Sequence, residues 1–226
     1  NGSTEPMVAY RNSHRLVPSY QRIQLPVQQV TSLLRKNGTY LITGGLGRVG
    51  LTFAEFFNQR VEANLCLFSR TPFPEKSQWL DIMQRNENIL LCKTLRRLIQ
   101  LEQKGSQVIV LSGDVSNPAD ILRITKTVEQ VFGKLHGVVH AAGLPSQLSP
   151  FIKLTETESA EQFQAKVTGT NSLNSIFKDY DLDFFLGVSS TSSILGGLGY
   201  SAYSAANIYL DNFISYQNRL TNKFPW

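Results

Sequence analysis

From residue 39 onward, short apolar runs alternate with longer amphipathic stretches, and this alternation most constrains how the chain can fold. The apolar runs read TYLIT, ANLCLFS, QVIVLSGDV, HGVVHAAG and DFFLGVSS, and a stretch long enough for a helix follows each of them. Strands that are apolar throughout are typical of parallel sheets, because helices cover both faces of such a sheet. The pattern therefore predicts the α/β class, with a Rossmann-like doubly wound parallel sheet and helices on both faces.

The connection between the second and third apolar runs is longer than one helix and its turns require, so we predict two helices there. The second helix carries Leu91, Leu95 and Leu98 on one face and stops at Gly105. We expect the remaining helices to begin at four other positions: near Arg48, at Asn117, after Thr155 and after Tyr200.

The chain divides into two regions of different pattern. Residues 1–37 are interpreted as an N-terminal extended segment and a Gln-rich linker, and residues 38–226 as the α/β domain. A doubly wound sheet of this order usually has a sixth strand after the last helix, whereas the chain stops soon after that helix. We therefore expect the C-terminal strands of the fold to be missing from this chain.

The charge of the chain favours anionic partners, because 22 basic residues against 17 acidic ones give a formal net charge of +5. A phosphorylated cofactor or an acidic protein fits this charge. The basic residues are scattered without interleaved aromatic residues, so we predict no nucleic-acid partner. We interpret the basic face of the second crossover helix as solvated surface rather than a docking site. That face consists of Lys93, Arg97, Gln100 and Lys104.

No apolar run approaches the roughly 18 residues that a membrane-spanning helix needs, and no signal-peptide pattern is present. We therefore expect a soluble, cytoplasmic protein without a membrane partner. Cys66 lies in an apolar run and Cys92 in a helical pattern, and their spacing matches no metal site. Both are predicted to be buried free thiols, and we predict no metal.

A glycine-rich motif follows the first buried strand directly. Gly45, Gly47 and Gly50 have the spacing G-x-G-x-x-G between a strand and a helix, which is the context that makes this motif a dinucleotide site. We predict that Gly45 allows the tight turn, Gly47 the approach of the pyrophosphate, and Gly50 the close packing of the helix. The predicted cofactor-binding residues in this loop are Thr43, Gly44, Gly45, Leu46, Gly47, Val49 and Gly50.

The ends of the next two strands offer further cofactor contacts. Ser69 and Arg70 stand where an NAD-binding protein would present an acidic residue to the ribose, so they favour the 2′-phosphate of NADP. An ordinary surface arginine is the alternative interpretation. Asp114 and Val115 end the third strand and are predicted to hold the adenine, although Asp114 would equally suit a turn or a helix cap.

The motifs TGGLGRVG, SGDV, HAAG, VSS and YSAAN, in this order, resemble a short-chain dehydrogenase/reductase. More narrowly, nearly the whole chain resembles the ketoreductase domains of modular polyketide synthases. The resemblance implies an NADP-binding catalytic subdomain over residues 38–226 and identifies residues 1–37 as the remnant of a structural subdomain. It adds four residues to the predicted cofactor site: His140, Ala141, Ala142 and Gly143.

The segment YSAAN lacks the lysine that ordinary short-chain reductases carry four residues after the tyrosine. In polyketide ketoreductases this lysine and an asparagine on the preceding helix are exchanged, which matches Lys166 and Asn207. The resemblance then implies that Tyr203 protonates the alkoxide, Ser190 binds the substrate carbonyl, Lys166 holds the nicotinamide ribose and supplies charge, and Asn207 supports the proton path. Singly, Ser190 fits a loop, Tyr203 a packing residue and Lys166 a solvated lysine.

The resemblance implies an NADPH-dependent 3-oxoacyl-[acyl-carrier-protein] reductase. Its substrate would be a 3-ketoacyl thioester on the phosphopantetheine of an acyl carrier protein, and its partners would be that carrier and the neighbouring synthase domains. The alternatives are a catalytically inactive ketoreductase domain that scaffolds a module and a stand-alone short-chain carbonyl reductase. The absence of a Leu-Asp-Asp motif after HAAG favours an L-hydroxy product, whereas Leu195 and Tyr200 depart from that type and leave the stereochemistry open.

Overall fold

A computed structural model describes residues 8–24, 33–144, 149–220 and 225–226 of the chain. The chain divides into two compact units, residues 1–32 and residues 33–226. In the first unit, β1 (Ala9–Arg11) and β2 (His14–Leu16) form an antiparallel hairpin. The extended segments predicted near the N-terminus thus include two short strands. Most of the Gln-rich linker lies outside the described residues.

The second unit contains five parallel strands, in the spatial order β5-β4-β3-β6-β7. This confirms the predicted doubly wound sheet. The chain winds outward from β3 to β5, then crosses back to β6 and β7, so the order reverses beside β3. The strands are β3 (Thr39–Thr43), β4 (Asn64–Ser69), β5 (Val108–Ser112), β6 (Gly137–His140) and β7 (Phe184–Gly187).

Helices cover one face of the sheet along the connections from β3 to β5. Buried side chains of α1 and α3, among them Phe57 and Leu98, pack with strand residues such as Ile42 into one hydrophobic cluster. The long crossover contains two α-helices, as predicted, preceded by a short 3₁₀ helix. The elements are α1 (Arg48–Val61), the 3₁₀ helix Lys76–Gln78, α2 (Trp79–Arg85) and α3 (Ile89–Gln103).

A second cluster covers the other face, where Ile124 and Phe177 pack against Leu41 and Phe185 of the strands. Helices α4 (Pro118–Phe132) and α6 (Thr170–Phe177) supply side chains to this cluster. The other helices after β6 are α5 (Glu156–Phe163), α7 (Ser192–Leu195) and α8 (Ser201–Leu220). A π-helical turn, Gln164–Gly169, joins α5 to α6, and a 3₁₀ helix, Phe151–Lys153, precedes α5.

The predicted helix starts agree with the structure for local reasons. The side chain of Asn117 accepts a hydrogen bond from the backbone of Ala119, and Thr155 forms a capping box with Glu158. In the long crossover between β4 and β5, α3 ends shortly before Gly105, whose φ of +101° favours glycine. Local capping chemistry therefore sets these boundaries.

The basic face of α3 is solvated except at Arg97, whose Nε donates to Oε1 of Glu55 on α1 over 2.6 Å. Both cysteines are buried and free. In the part of the chain that the structure describes, no helix is long and apolar enough to cross a membrane. No sixth strand occurs there either, but the backbone N–H of Phe185 on β7 donates to the carbonyl of Pro225 over 2.8 Å.

The buried face of α1 differs from the one that its apolar spacing indicates. The spacing of Val49, Phe53 and Phe56 indicates one apolar side of this helix, but Val49 and Phe56 are 46% and 44% exposed. The helix instead buries Phe57, which is 3% exposed, together with Asn58. Asn58 is buried because its amide donates to the carbonyl of Leu101 and the hydroxyl of Ser106, at 2.8 and 2.7 Å.

Adjacent phenylalanines on α1 allow a direct test of this face. Phe57→Ala should lower the free energy of unfolding by about 3–5 kcal/mol, because it leaves a cavity in the core. The matched change Phe56→Ala should cost about 1 kcal/mol or less, since Phe56 is 44% exposed and its ring lies at the surface under the guanidinium of Arg60. Urea denaturation measures both, and equal losses would contradict the assigned face.

Candidate active site

The glycine-rich loop forms a tight turn between β3 and α1. Gly44 has φ +65°, so the left-handed position lies at Gly44 and not at Gly45, where we predicted the tight turn. A Cβ on Gly45 would lie 2.8 Å from Leu67, and a Cβ on Gly50 only 2.4 Å from the carbonyl oxygen of Gly44. Glycine at these positions brings the start of α1 against the sheet, as expected for Gly50. Gly47 precedes the first residue of α1 and is exposed.

A cleft of about 230 Å³ lies at the carboxyl ends of β3, β4, β5 and β6, beside the point where the strand order reverses. Most of the predicted cofactor residues line it: Thr43, Gly44, Gly47, Ser69, Arg70, Asp114, Val115, Ala141, Ala142 and Gly143. Five others do not line it: Gly45, Leu46, Val49, Gly50 and His140. Gly45 and Gly50 instead allow the turn and the helix to pack closely.

The turn after β5 gives Asp114 a defined role. Its Oδ1 accepts from the backbone N–H and the hydroxyl of Ser116, at 2.8 and 2.7 Å, and its Oδ2 accepts from the amide of Gln164 at 2.9 Å. Asp114 thus organises a turn, while Asn117 is the residue that caps α4. The alternative of a helix cap is wrong for Asp114, whereas the alternative of a turn is confirmed.

His140 lies fully buried at the end of β6. Its Nε2 is 3.1 Å from the carbonyl oxygen of Ala165, which only accepts, so Nε2 carries the proton. Nδ1 therefore accepts from the hydroxyl of Thr43 at 2.7 Å, and that oxygen accepts from the N–H of Ala142 at 3.3 Å. Burial, followed by the charge of Lys166, lowers the pKa of His140 to about 3. The neutral imidazole ties β3 and β6 to the π-helical turn.

Lys166 lies in the π-helical turn and is only 6% exposed, so its interpretation as a solvated surface lysine is wrong. Its ammonium donates to the carbonyl oxygen of Val188, just after β7. Burial lowers the pKa of Lys166 to about 8, and the charge of Asp211 on α8 acts in the opposite direction. A Cβ on Gly143 would lie 3.2 Å from Cε of Lys166, so the aliphatic chain passes beside the cleft residue Gly143.

The other predicted catalytic residues lie on elements that pack around this turn. Ser190 lies in the loop after β7, two residues beyond Val188. Its hydroxyl accepts a hydrogen bond from the N–H of Ser192 at 3.2 Å. The amide of Asn207 on α8 donates to the carbonyl of Tyr203 at 2.9 Å, while its buried Oδ1 has no hydrogen-bond partner among the described residues. Helix α8 contacts both the π-helical turn and β7.

Tyr203 is half-buried and lines a narrow crevice between α5 and α8. Glu161 lines both this crevice and the main cleft, so the two adjoin. The ring of Tyr200 lies beside that of Tyr203, with centroids 6.0 Å apart. None of the four predicted catalytic side chains lines the main cleft itself.

Several residues that line the cleft were not predicted from the sequence. Glu161, Gln164 and Ala165 lie on α5 and the π-helical turn. A π-helical turn shifts the residues that face one direction, so helical spacing gives no signal for Gln164. The position of Gln164 two residues before Lys166 was the nearest clue. Thr71 and Gly113, which extend the ends of β4 and β5, also line the cleft.

The residues present fit a dinucleotide. A glycine cradle at a helix start, a cleft at the switch point, and an exposed guanidinium at the end of β4 together match the chemistry of a phosphorylated nucleotide. A Cβ at Gly44 would meet the backbone of Ala141 at 2.8 Å, which shows how closely the two walls of the cleft approach. Among the described residues, no group of His, Cys, Asp and Glu is arranged to hold a metal ion.

The buried neutral His140 should make the protein sensitive to acid. Between the ordinary pKa of 6.5 and the native value of about 3, the unfolded chain binds a proton that the native chain does not. Stability should therefore fall as pH drops below about 6.5, with a contribution of up to about 1.4 kcal/mol per pH unit. His140→Asn should flatten this slope in urea titrations made from about pH 6.5 to pH 4.

The exposed hairpin residue supplies the control, since His14→Asn makes the same chemical change outside the core. His136 stays in every variant, and burial lowers its pKa as well, so some slope should remain. An unchanged slope in His140→Asn would contradict the assigned neutral state.

Comparisons of both sequence and structure with known proteins indicate one family. The KR domain model matches residues 38–223. Polyketide synthase PksM of Bacillus subtilis (strain 168) is 33% identical over 221 residues, which are 97% of this chain and 5% of that protein. The 6-methylsalicylic acid synthase of Aspergillus terreus is 36% identical over 203 residues, 88% of this chain and 11% of that protein. The chain thus spans only a small part of these relatives.

Among solved structures, a ketoreductase domain from the bacillaene assembly line superposes with a TM-score of 0.80 at 29% identity, covering 96% of this chain and 48% of that one. The resemblance drawn from the motifs is thereby confirmed. The chain belongs to the KR domain family, the ketoreductase domains of polyketide synthases, which are oxidoreductases with the short-chain dehydrogenase/reductase fold and a nicotinamide cofactor.

Proposed function

We propose that this domain reduces the 3-keto group of an acyl thioester on an acyl carrier protein to a 3-hydroxyacyl thioester, with NADPH as reductant. The observation that carries this proposal is the buried ammonium of Lys166 on the π-helical turn, beside α8 with Tyr203 and Asn207. This lysine supplies the cation that the segment YSAAN lacks.

The four residues divide the work of a carbonyl reduction. NADPH supplies the hydride, and the protein orients the carbonyl and delivers the proton. In the proposed mechanism, the hydroxyl of Ser190 donates a hydrogen bond to the carbonyl oxygen, and the phenol of Tyr203 donates its proton to the oxygen as negative charge develops. Asn207 holds the carbonyl of Tyr203 and keeps Oδ1 free to accept, which suits a proton path.

The protonation state of Lys166 agrees with this role. With a pKa of about 8, its side chain is mostly an ammonium at neutral pH despite its burial. In this proposal its positive charge serves the nicotinamide ribose and the proton path that begins at Tyr203. The carbonyl of Val188 takes one N–H of the ammonium, and the remaining donors suit the hydroxyls of the nicotinamide ribose.

NADPH rather than NADH is supported by the end of β4. Arg70 is exposed there and lines the cleft next to Ser69, and no acidic residue occupies the position that would repel a 2′-phosphate. A planar guanidinium can bind a phosphate through two parallel hydrogen bonds. The net charge of +5 adds attraction for both a phosphorylated cofactor and an acidic carrier protein.

The proposed partners are the acyl carrier protein and the neighbouring synthase domains, in the cytoplasm. This chain would act as one reducing domain within a larger synthase. Within it, residues 38–226 would be the catalytic subdomain and residues 1–37 the remnant of a structural subdomain.

Activity is tested with the intact chain, NADPH and a β-ketoacyl thioester of N-acetylcysteamine, followed by the loss of NADPH absorbance. We expect turnover with NADPH, slower turnover with NADH, and a loss of about 100-fold or more in kcat/KM for Tyr203→Phe. Tyr209→Phe is the matched control, because this tyrosine lies on the same helix but donates its hydroxyl to Asn171 at 2.9 Å.

No oxidation of NADPH, or equal rates for Tyr203→Phe and the wild type, would overturn the mechanism. Fluorescence titration with NADPH separates the alternatives further. Tight binding without turnover would favour an inactive domain that scaffolds the module, whereas turnover of small free ketones in preference to thioesters would favour a stand-alone reductase.

A further inference from the structure

Gln164 makes a side-chain link between two parts of the site that are distant in sequence. It is the first residue of the π-helical turn Gln164–Gly169, and its Nε2 donates to Oδ2 of Asp114 at 2.9 Å and to the hydroxyl of Ser116 at 3.3 Å. Asp114 and Ser116 belong to the turn after β5, which lines the cleft on the side predicted for the adenine. One amide therefore joins that turn to the turn that carries Lys166.

The carboxylate of Asp114 is held from both ends. Ser116 donates twice to Oδ1, and Gln164 donates to Oδ2. A carboxylate has about four acceptor positions, so one remains on Oδ2 for an exocyclic amine such as that of adenine. Gln164 thus fixes the direction of the remaining acceptor position on Asp114. A ligand bound there would share Oδ2 of Asp114 with the amide of Gln164.

Other residues of the π-helical turn also contact the sheet and the turn after β5, but at positions different from that of Gln164. The imidazole of His140 donates to the carbonyl of Ala165 at 3.1 Å, and a Cβ on Gly169 would lie 2.9 Å from Cγ1 of Val115. His140 holds the backbone next to Lys166 against β6. Gln164 is the residue that holds the start of the turn to Asp114, only two residues before Lys166.

We propose that Gln164 is a positioning residue that couples the adenine side of the cofactor cleft to Lys166. The proposal rests on the proposed function, in which Lys166 serves the bound nicotinamide cofactor. When the adenine side is occupied, the turn after β5 is fixed, and through Gln164 the segment of Lys166 is fixed with it. Such coupling is reciprocal, so a well-placed Lys166 segment also favours binding on the adenine side.

The readout is the acetylation of Lys166 by acetic anhydride in the intact folded chain, followed by mass spectrometry of the peptide as a function of pH. This measures the pKa and accessibility of Lys166 without any turnover. The ligand is adenosine 2′-monophosphate, which carries adenine and the 2′-phosphate but no nicotinamide. In the wild type we expect this ligand to slow the acetylation of Lys166 severalfold.

Gln164→Met keeps the length of the side chain and removes its donors. In this variant we expect the pKa of Lys166 to rise from about 8 toward the ordinary 10.5, because a loosened segment lets water reach the ammonium. The effect of adenosine 2′-monophosphate on acetylation should disappear. Ser172→Ala is the matched control, since it removes a 3.0 Å hydrogen bond to the carbonyl of Ser116 without touching the turn of Lys166.

A second pair of variants tests the same contact in case Gln164→Met fails to fold. Gln164→Glu places a carboxylate against Asp114 and should raise the pKa of Lys166, as Gln164→Met does, whereas Gln164→Glu with Asp114→Asn restores a donor and an acceptor and should return this pKa toward the wild-type value. The proposal would be overturned if adenosine 2′-monophosphate did not slow the acetylation of Lys166 in the wild type. It would also be overturned if the ligand slowed acetylation equally in the wild type and in Gln164→Met. An inactive chain that still shows the coupling would overturn only the proposed function.

Discussion

The buried ammonium of Lys166 is the interaction on which the proposed chemistry depends. Burying a charge is unfavourable unless hydrogen bonds or opposite charges compensate it. Here the carbonyl of Val188 accepts from the ammonium, and the carboxylate of Asp211 favours its charged form. Lys166 lies in a π-helical turn, where the residues that face one direction are shifted relative to those of a regular helix.

Around this lysine, the sheet provides a rigid frame. The carboxyl ends of β3 and β6 meet beside the switch point, and the network of Thr43, His140 and Ala165 ties these ends to the segment of Lys166. A neutral histidine suits this place, because a second buried positive charge would repel the ammonium. The glycine turn at Gly44 brings the opposite wall of the cleft close to the same edge.

Much of the fold could be predicted from the sequence, because strands buried on both faces and helix caps such as Asn117 act through local pattern. The buried face of α1 could not, since Asn58 is buried by hydrogen bonds to Leu101 and Ser106 from distant parts of the chain. The lysine itself was found only through its exchange with Asn207, which spacing alone does not reveal. Both Lys166 and Gln164 lie in a π-helical turn that no apolar periodicity encodes.

The central claim is that Lys166 supplies the cation for reduction. The most direct measurement is the single-turnover rate of hydride transfer, followed by the decay of NADPH fluorescence with a β-ketoacyl thioester. Lys166→Met should lower this rate by about 100-fold or more. Lys178→Met, at an exposed position after α6, should leave it unchanged. A wild-type rate in Lys166→Met would contradict the account.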